Sequence, residues 1–110
     1  MFQIPRIMIK LDKRHDIVEE RLLLWLANDV EGIRHALIRI FLQQSDLSIQ
    51  DIYENLSGSF SVSYHSVAGM VGVISSRIGI LTGTRDSYLR CRLYRIREKD
   101  LSVVRRILSS

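Results

Sequence analysis

Two hydrophobic patterns organise the chain: helical spacing through most of its length, and alternation towards its C-terminal end. Both occur in residues 48–96, where a short helical pattern precedes a turn, a longer helical pattern and two strand-like stretches. Apolar repeats of about 3.6 residues indicate helices with one buried face, whereas repeats of two indicate strands. This order predicts a helix-turn-helix followed by a β-hairpin, with the rest of the chain supporting or pairing it.

The N-terminal residues 1–13 show a short alternating pattern. Ile7, Ile9 and Leu11 occupy alternate positions, which predicts an extended segment, and Pro5 disfavours a helix running through it. A lone terminal strand needs a partner. An arm that crosses to a second chain and an unstructured tail therefore both remain open.

The first predicted helix starts at Asp16, because Asp16 and Glu19 have the spacing of a capping box. Its LLLWL run is more apolar than one buried face requires. Two explanations remain open: packing on the domain core, or contact with the same helix of a second subunit. The candidate interface residues on this helix are Leu23, Trp25 and Leu26.

Helical repeats continue through the middle of the chain. One helix is predicted over residues 33–44, and a short one follows Ser48, a favourable N-cap with Asp51 three residues on. Another is predicted over residues 64–78, after a cap at Ser61 or Ser63. Gly79 has the position of the left-handed residue that ends such a helix.

The hairpin is predicted from a strand at residues 80–82, a tip at residues 83–87 and a second strand from Tyr88. Alternation along the second strand divides its residues between two faces. The predicted inward residues are Leu89, Cys91 and Leu93, and the predicted outward residues are Tyr88, Arg90, Arg92 and Tyr94. A last short helix is predicted from Asp100.

The composition is that of one globular domain, with 110 residues, 46% of them hydrophobic and 25% charged. The single cysteine, Cys91, excludes an intramolecular disulfide framework and is compatible with a reducing compartment. The sequence shows neither a bilayer-spanning apolar run nor the features of a signal peptide. We therefore expect a cytoplasmic protein without a membrane partner.

The net charge of +4 is unevenly distributed. Residues 77–110 contain nine basic and three acidic residues, a net charge of +6, which leaves −2 for residues 1–76. A clustered basic region attracts polyanions and accelerates their encounter. Nucleic acid and an ordinary solvated face are both compatible with this distribution.

The segment IQDIYENL, the run FSVSYHSVAGMVGVISSRIGIL and the following hairpin resemble the winged helix-turn-helix superfamily, over residues 32–97. The glycine between helix and wing matches Gly79. The resemblance implies that the helix from Tyr64 enters the DNA major groove and that the hairpin, or wing, touches a neighbouring groove or the backbone. The whole chain is also similar to a small archaeal family of this type, which implies no function.

We accordingly predict a mostly helical α+β fold, a winged helix-turn-helix with an additional N-terminal helix and a short C-terminal helix. Residues 1–31 would form an arm and helix for packing or dimerisation, residues 32–97 the winged helix, and residues 98–110 the C-terminal helix. Winged helices also serve as protein-interaction modules, so the fold alone does not determine a function.

The helix from Tyr64 has an unusual outer face for a DNA reader. Helical spacing places His65, Gly69, Gly72 and Ser76 opposite the buried stripe, without the Arg, Lys, Asn or Gln side chains that usually read bases. Each glycine costs the helix about 1 kcal/mol relative to alanine. Close approach to a nucleic-acid backbone, packing against another protein helix and the absence of any role all remain open; the two glycines are candidate interface residues.

The wing is more basic than that helix. Arginines interleaved with tyrosines suit phosphate contact and stacking, although charge on an edge strand also protects against aggregation. The candidate DNA-binding residues are Ser63, Tyr64, His65, Ser66, Ser76, Arg77, Arg85, Arg90 and Arg92.

Catalytic and metal-binding patterns are missing from the sequence. It contains no Gly-rich phosphate loop, and its three histidines lack chelating spacing. Cys91 is expected to act as a small hydrophobic residue. We predict a non-enzyme without cofactor, metal or small-molecule ligand.

Two hypotheses follow. One is a dimeric protein that binds double-stranded DNA as a transcriptional regulator or general DNA-associated factor. The other is a winged-helix protein-interaction module or homodimer without sequence-specific DNA binding.

Overall fold

The computed structural model describes the backbone of residues 6–109 and the side chains of residues 13–109. Within this range the chain forms helices and a two-stranded antiparallel hairpin. In chain order they are α1 (Arg6–Ala27), α2 (Ile33–Gln43), α3 (Ile49–Ser57), α4 (Tyr64–Val73), β1 (Leu81–Asp86), β2 (Cys91–Ile96) and α5 (Leu101–Ser109). This is the predicted α+β winged-helix architecture, with a helix added at each end.

The N-terminal helix is much longer than predicted. The extended segment expected over residues 1–13 is wrong from Arg6 onward, because α1 begins there, and residues 1–5 lie outside the described residues. The alternating apolar residues led to the wrong prediction because Ile7 and Leu11 are also four residues apart, a spacing that fits a helix equally well. Asp16 is therefore in the middle of α1 and does not start it.

Capping side chains begin the two helices of the helix-turn-helix. The Ser48 hydroxyl accepts a hydrogen bond from the Asp51 amide at 3.1 Å, and the Asp51 carboxylate accepts one from the Ser48 amide at 2.9 Å. The Ser63 hydroxyl accepts from the Ser66 amide at 3.0 Å, so Ser63, and not Ser61, is the cap of α4. These bonds satisfy amides that a helix start leaves unpaired.

Helix α2 begins with a different device. The Asp29 carboxylate accepts hydrogen bonds from the His35 amide at 3.0 Å and the His35 ring at 2.8 Å. Burial of Asp29 raises its pKa, but the bonds from His35 and Arg34 stabilise the carboxylate more, and the pKa is lowered below its usual value. The break between α1 and α2 is thus held by an ionised side chain.

The helix predicted over residues 64–78 changes geometry near its end. α4 is followed by a π-helical turn, Ile74–Ile78, closed by a hydrogen bond of 2.9 Å from the Gly79 amide to the Ile74 carbonyl. Gly79 then adopts φ 82°, the left-handed conformation predicted for it. This glycine turns the chain from the helix into the hairpin.

The hairpin is longer than predicted and its tip lies later in the chain. Paired residues continue to Asp86 and Cys91, so the tip is residues 87–90 and not residues 83–87. The Asp86 carboxylate accepts hydrogen bonds of 2.9 Å from the amides of Tyr88 and Leu89, which closes the turn there. The prediction that Tyr88, Leu89 and Arg90 belong to the second strand is therefore wrong.

Tyr94 also differs from its predicted outward position. Its backbone exchanges hydrogen bonds of 2.8 and 2.9 Å with Leu47, in the segment before α3. This pairing fastens the base of the wing to the helices, and the Tyr94 ring packs against the hydrophobic core.

One hydrophobic core joins the helices to the base of the hairpin. Its fully enclosed side chains include Leu22, Leu37, Ile38, Ile52, Leu56, Val67, Ile74, Ile80 and Val104. The predicted interface residue Leu26 belongs to this core, with 5% of its surface exposed, so it offers a partner little area.

An ion pair with one fully buried partner joins α1 to the residue just before α5, at the junction between α4 and the wing. The guanidinium of Arg14 binds the carboxylate of Asp100, whose side chain is fully buried, and donates a further hydrogen bond of 3.3 Å to the Gly79 carbonyl. Arg21 donates a hydrogen bond of 3.1 Å to the carbonyl of Arg77, two residues before Gly79. α1 therefore holds both α5 and the end of the helix-turn-helix.

We predict that Arg14→Met lowers the free energy of unfolding by about 3 kcal/mol, because it leaves a buried carboxylate without its cation. Equilibrium urea unfolding measures this. Lys13→Met, a change at the neighbouring exposed cation, should alter stability by no more than about 0.5 kcal/mol. Removing both charges, in Arg14→Met/Asp100→Leu, should recover most of the loss; equal stability of the Arg14 and Lys13 variants would contradict the assignment.

Candidate nucleic-acid interface

The outer face of α4 is small and uncharged. His65, Gly69, Gly72 and Ser76 are all exposed, as helical spacing predicts. A Cβ atom added to Gly69 or Gly72 would have no neighbour within 4 Å, so packing within this chain does not require either glycine. The Ser76 hydroxyl donates a hydrogen bond of 2.7 Å to the Gly72 carbonyl and is not free to donate to a ligand. This face allows close approach but offers few groups that read bases.

The N-terminal end of α4 is more polar. Tyr64 is 48% exposed, and its ring packs edge-on against Tyr53 with centroids 6.0 Å apart. His65 and Ser66 are exposed beside it, while the Ser63 hydroxyl accepts the capping bond. The packed tyrosine pair gives the Tyr64 hydroxyl a defined position.

A groove of about 180 Å³ separates this end of α4 from the wing. Strand β2 forms one wall, and the first residues of α3 and α4 form the other. The lining residues are Ser48, Ile49, Gln50, Tyr64, Cys91, Arg92 and Tyr94. The structure thus brings together the predicted residues Tyr64 and Arg92. It adds Ser48, predicted only as a helix cap, and Gln50, for which no role was predicted.

The Arg92 side chain, which lines the groove, packs over a glycine of β1. A Cβ atom on Gly83 would lie 3.0 Å from the Arg92 Cδ and 3.2 Å from its Cγ. The arginine stem therefore lies directly over the glycine backbone. A glycine within a strand signals such a close approach, but the prediction had placed Gly83 in the tip.

Arg85 and Arg92 form a cross-strand pair of like charges. They are directly opposite in the hairpin register, which places both side chains on the same face. Both are exposed, and no hydrogen bond or ion pair within the described residues engages either guanidinium or that of Arg90 at the tip. Like charges directly opposite destabilise a hairpin, so an external polyanion would relieve an existing repulsion.

Two of the predicted site residues lie away from this groove. Ser76 and Arg77 follow Tyr64 by more than three helical turns, a separation of roughly 20 Å along the axis. Arg77 borders a cavity with Arg21, Leu24 and Trp25 of α1. Any nucleic-acid contact by Arg77 would therefore be separate from the groove.

Trp25, predicted at a subunit interface, is half-buried within the chain. The Arg34 guanidinium lies 4.9 Å from its ring centroid and donates a hydrogen bond of 2.7 Å to its carbonyl oxygen. Around it, α1 exposes apolar side chains: Ile17 by 41%, Leu23 by 47% and Leu24 by 62%.

Other kinds of site have little support in the part of the chain with described side chains. No group of three or more His, Cys, Asp or Glu residues there is placed to hold a metal ion. Cys91 is half-buried. No helix among the described residues is long and apolar enough to cross a membrane.

The profile of a protein family described as "Protein of unknown function (DUF2551)" matches residues 22–104. The chain belongs to this family. The match runs from the last six residues of α1 to the first four of α5 and includes the groove and the wing. No protein with a curated function matches the sequence.

Solved structures with the same fold include transcription regulators. MepR of Staphylococcus aureus, solved with DNA, aligns with a TM-score of 0.60 and 13% identity over 94% of this chain and 77% of its own. The repressor CouR, bound to a 23-mer duplex, gives 0.58 and 15% identity over 91% and 68% of the two chains. PcaV of Streptomyces coelicolor gives 0.57 and 19% over 96% and 74%. At these identities the likeness establishes the winged-helix fold; an archaeal origin stays a prediction.

The open glycines give a stability prediction. Gly69→Ala and Gly72→Ala should each raise the free energy of unfolding by about 1 kcal/mol, because alanine favours the helix and its methyl group meets no neighbour. Gly79→Ala is the matched control and should lower stability by about 1 kcal/mol, since φ 82° is strained for alanine. Urea unfolding of the three variants measures these changes. Destabilisation by Gly69→Ala or Gly72→Ala would mean that α4 needs its glycines for folding.

Proposed function

We propose that this protein binds double-stranded DNA through the face that carries Arg85 and Arg92, as a transcriptional regulator or a general DNA-associated factor. The unpaired, directly opposed arginines beside the helix-turn-helix are the observation that carries this proposal. A fold that places two arginines directly opposite each other is suited to a ligand with closely spaced negative charges, such as a phosphate backbone.

The groove supplies polar groups next to those charges. Arg92 lines it together with the hydroxyl-bearing Tyr64 and the amide-bearing Gln50. Such side chains commonly contact phosphates and sugars and so position a protein on the duplex. The net charge of +6 over residues 77–110 adds a long-range attraction that accelerates encounter.

In this proposal α4 makes a close but weakly selective approach. Its exposed glycines allow a sugar-phosphate backbone or groove wall to come near, and His65 and Ser66 offer polar contacts at its first turn. The DNA complexes of MepR and CouR support the use of this fold on duplex DNA. Ser63 and Ser76 contribute less, because their hydroxyl groups are already hydrogen-bonded.

A protein partner is the second candidate, and the exposed apolar side chains of α1 favour it. Leu23 and Leu24 are about half exposed on a helix that also packs on the core. Burying such side chains contributes to association. We propose a homodimer that uses this part of α1, near Trp25. The DNA-binding protein itself is proposed to be such a dimer. A homodimer without sequence-specific DNA binding is the alternative function.

Duplex DNA should bind at low salt and be released as salt rises, which fluorescence anisotropy of a labelled duplex measures. Raising the salt concentration from about 50 to 200 mM should weaken binding steeply. Binding releases cations from the DNA phosphates, and a higher salt concentration opposes that release. Arg85→Ala/Arg92→Ala should weaken binding to every sequence and reduce the slope of log K against log salt by about 2.

Arg39→Ala is the matched control, because Arg39 is an exposed cation on α2 that does not line the groove. It should leave the salt slope nearly unchanged. Absence of binding at low salt would refute the DNA proposal; equal effects of the two variants would remove the wing arginines from it.

The oligomer proposal is tested separately by light scattering. A dimer is expected, and Leu23→Glu/Leu24→Glu should convert it to monomer because two charges enter the apolar contact. Gly72→Leu tests instead whether the α4 face takes part. A monomer in the unmodified protein would contradict the dimer, and a dimer unchanged by the glutamates would move the interface off α1.

A further inference from the structure

The wing ends in an exposed apolar tip. Tyr88 is 91% exposed and Leu89 is 58% exposed, and neither packs on the core. Hydrophobic side chains in water at a projecting turn gain nothing for the stability of this chain. Their position makes them available for a contact with a binding partner.

Hydrogen bonds fix the backbone of the tip at the end of the hairpin. Asp86 accepts three hydrogen bonds from the turn: its carboxylate from the amides of Tyr88 and Leu89 at 2.9 Å, and its carbonyl from the Arg90 amide at 2.7 Å. Arg90 adopts φ 57°, a left-handed conformation that is unfavourable for a residue with a side chain. A turn with its backbone held in this way loses less backbone entropy on binding than a loose loop would.

Cations flank the apolar tip. Arg90 follows Leu89 directly, and Arg85 and Arg92 form the second residue pair below the turn, after Asp86 and Cys91. An apolar point surrounded by unpaired arginines matches the DNA minor groove, where phosphates line the edges and base steps form the floor. Proteins that use this combination push an apolar side chain between base pairs and kink the duplex.

The outer face of α4 gives little sequence selectivity, so an apolar wedge in the wing would supply what the helix lacks. This face lacks the side chains that read bases in the major groove, so direct readout through this helix is limited. Deforming DNA gives selectivity by another route, since some base steps unstack more easily than others.

Resting on the proposed DNA-binding function, we propose that the wing tip is a minor-groove wedge: Leu89, supported by Tyr88, partly unstacks a base step and bends the bound DNA. Selectivity then follows deformability, and flexible TA steps are preferred over stiff A-tracts. Arginine insertion alone would give the opposite order, because the narrow groove of an A-tract has the stronger negative potential.

The test uses the full chain and two duplexes of equal length and A·T content, one with alternating TA steps and one with a continuous A-tract. Energy transfer between dyes at the duplex ends measures bending, and anisotropy measures affinity in the same samples. We expect the TA duplex to bind about tenfold more tightly than the A-tract duplex and to bend. A tenfold difference is of the size that one favourable position in a binding site typically contributes. Leu89→Ala should abolish the bend and most of this preference.

Ser87→Ala is the control within the same tip and should keep both the bend and the preference, because Ser87 is exposed and adds no apolar surface. Leu89→Met, which keeps an apolar side chain, should restore both. Light scattering of Leu89→Ala checks that the oligomeric state is unchanged; a changed state without a changed bend would assign the tip to a protein contact and overturn the wedge.

The outcomes separate this proposal from the one it rests on. DNA that binds without bending, or binds the A-tract more tightly, would overturn the wedge and leave the proposed function standing. If neither duplex binds at low salt, both proposals fail.

Discussion

The ion pair between Arg14 and Asp100 is the interaction on which the arrangement of this molecule depends. A fully buried carboxylate is tolerated only when it is paired, and here its partner also bonds the carbonyl of Gly79. One side chain of α1 therefore connects the start of α5 to the residue where the helix-turn-helix becomes the wing. The bond from Arg21 to the Arg77 carbonyl strengthens the same connection. The direction in which the wing leaves α4 is set by the terminal helices as well as by the local glycine.

In the proposed DNA complex, α4 and the wing have different tasks. α4 is smooth, with open glycines and few polar groups, whereas the wing carries free arginines and an apolar tip. The Arg92 stem occupies the space that a side chain at position 83 would fill. Affinity would come from phosphate contacts by the wing, and selectivity from how readily the duplex deforms. The helix would then serve mainly for positioning.

The sequence predicted most of the fold but named only two of the seven residues that line the groove, Tyr64 and Arg92, as site residues. The sequence was sufficient to predict features that depend only on nearby backbone groups. Ser48 caps α3, Ser63 caps α4 and Gly79 adopts the left-handed conformation. The sequence was insufficient to place the hairpin tip, because residues suited to turns occur from Gly83 to Ser87. The hydrogen bonds to the Asp86 carboxylate place the turn after that residue. The sequence was also insufficient at the N-terminus, where a few alternating apolar residues fit both a strand and a helix.

Hydrophobic periodicity and capping residues by themselves determined the order of helices and strands, the winged-helix class and the uncharged face of α4, because these depend on neighbours within a few positions. Only the tertiary structure decided which distant residues meet. The pairing of Arg14 with Asp100, the opposition of Arg85 and Arg92, and the inward packing of Tyr94 each join residues through the fold. Such contacts depend on strand register and on how helices pack, and a local pattern does not encode either one.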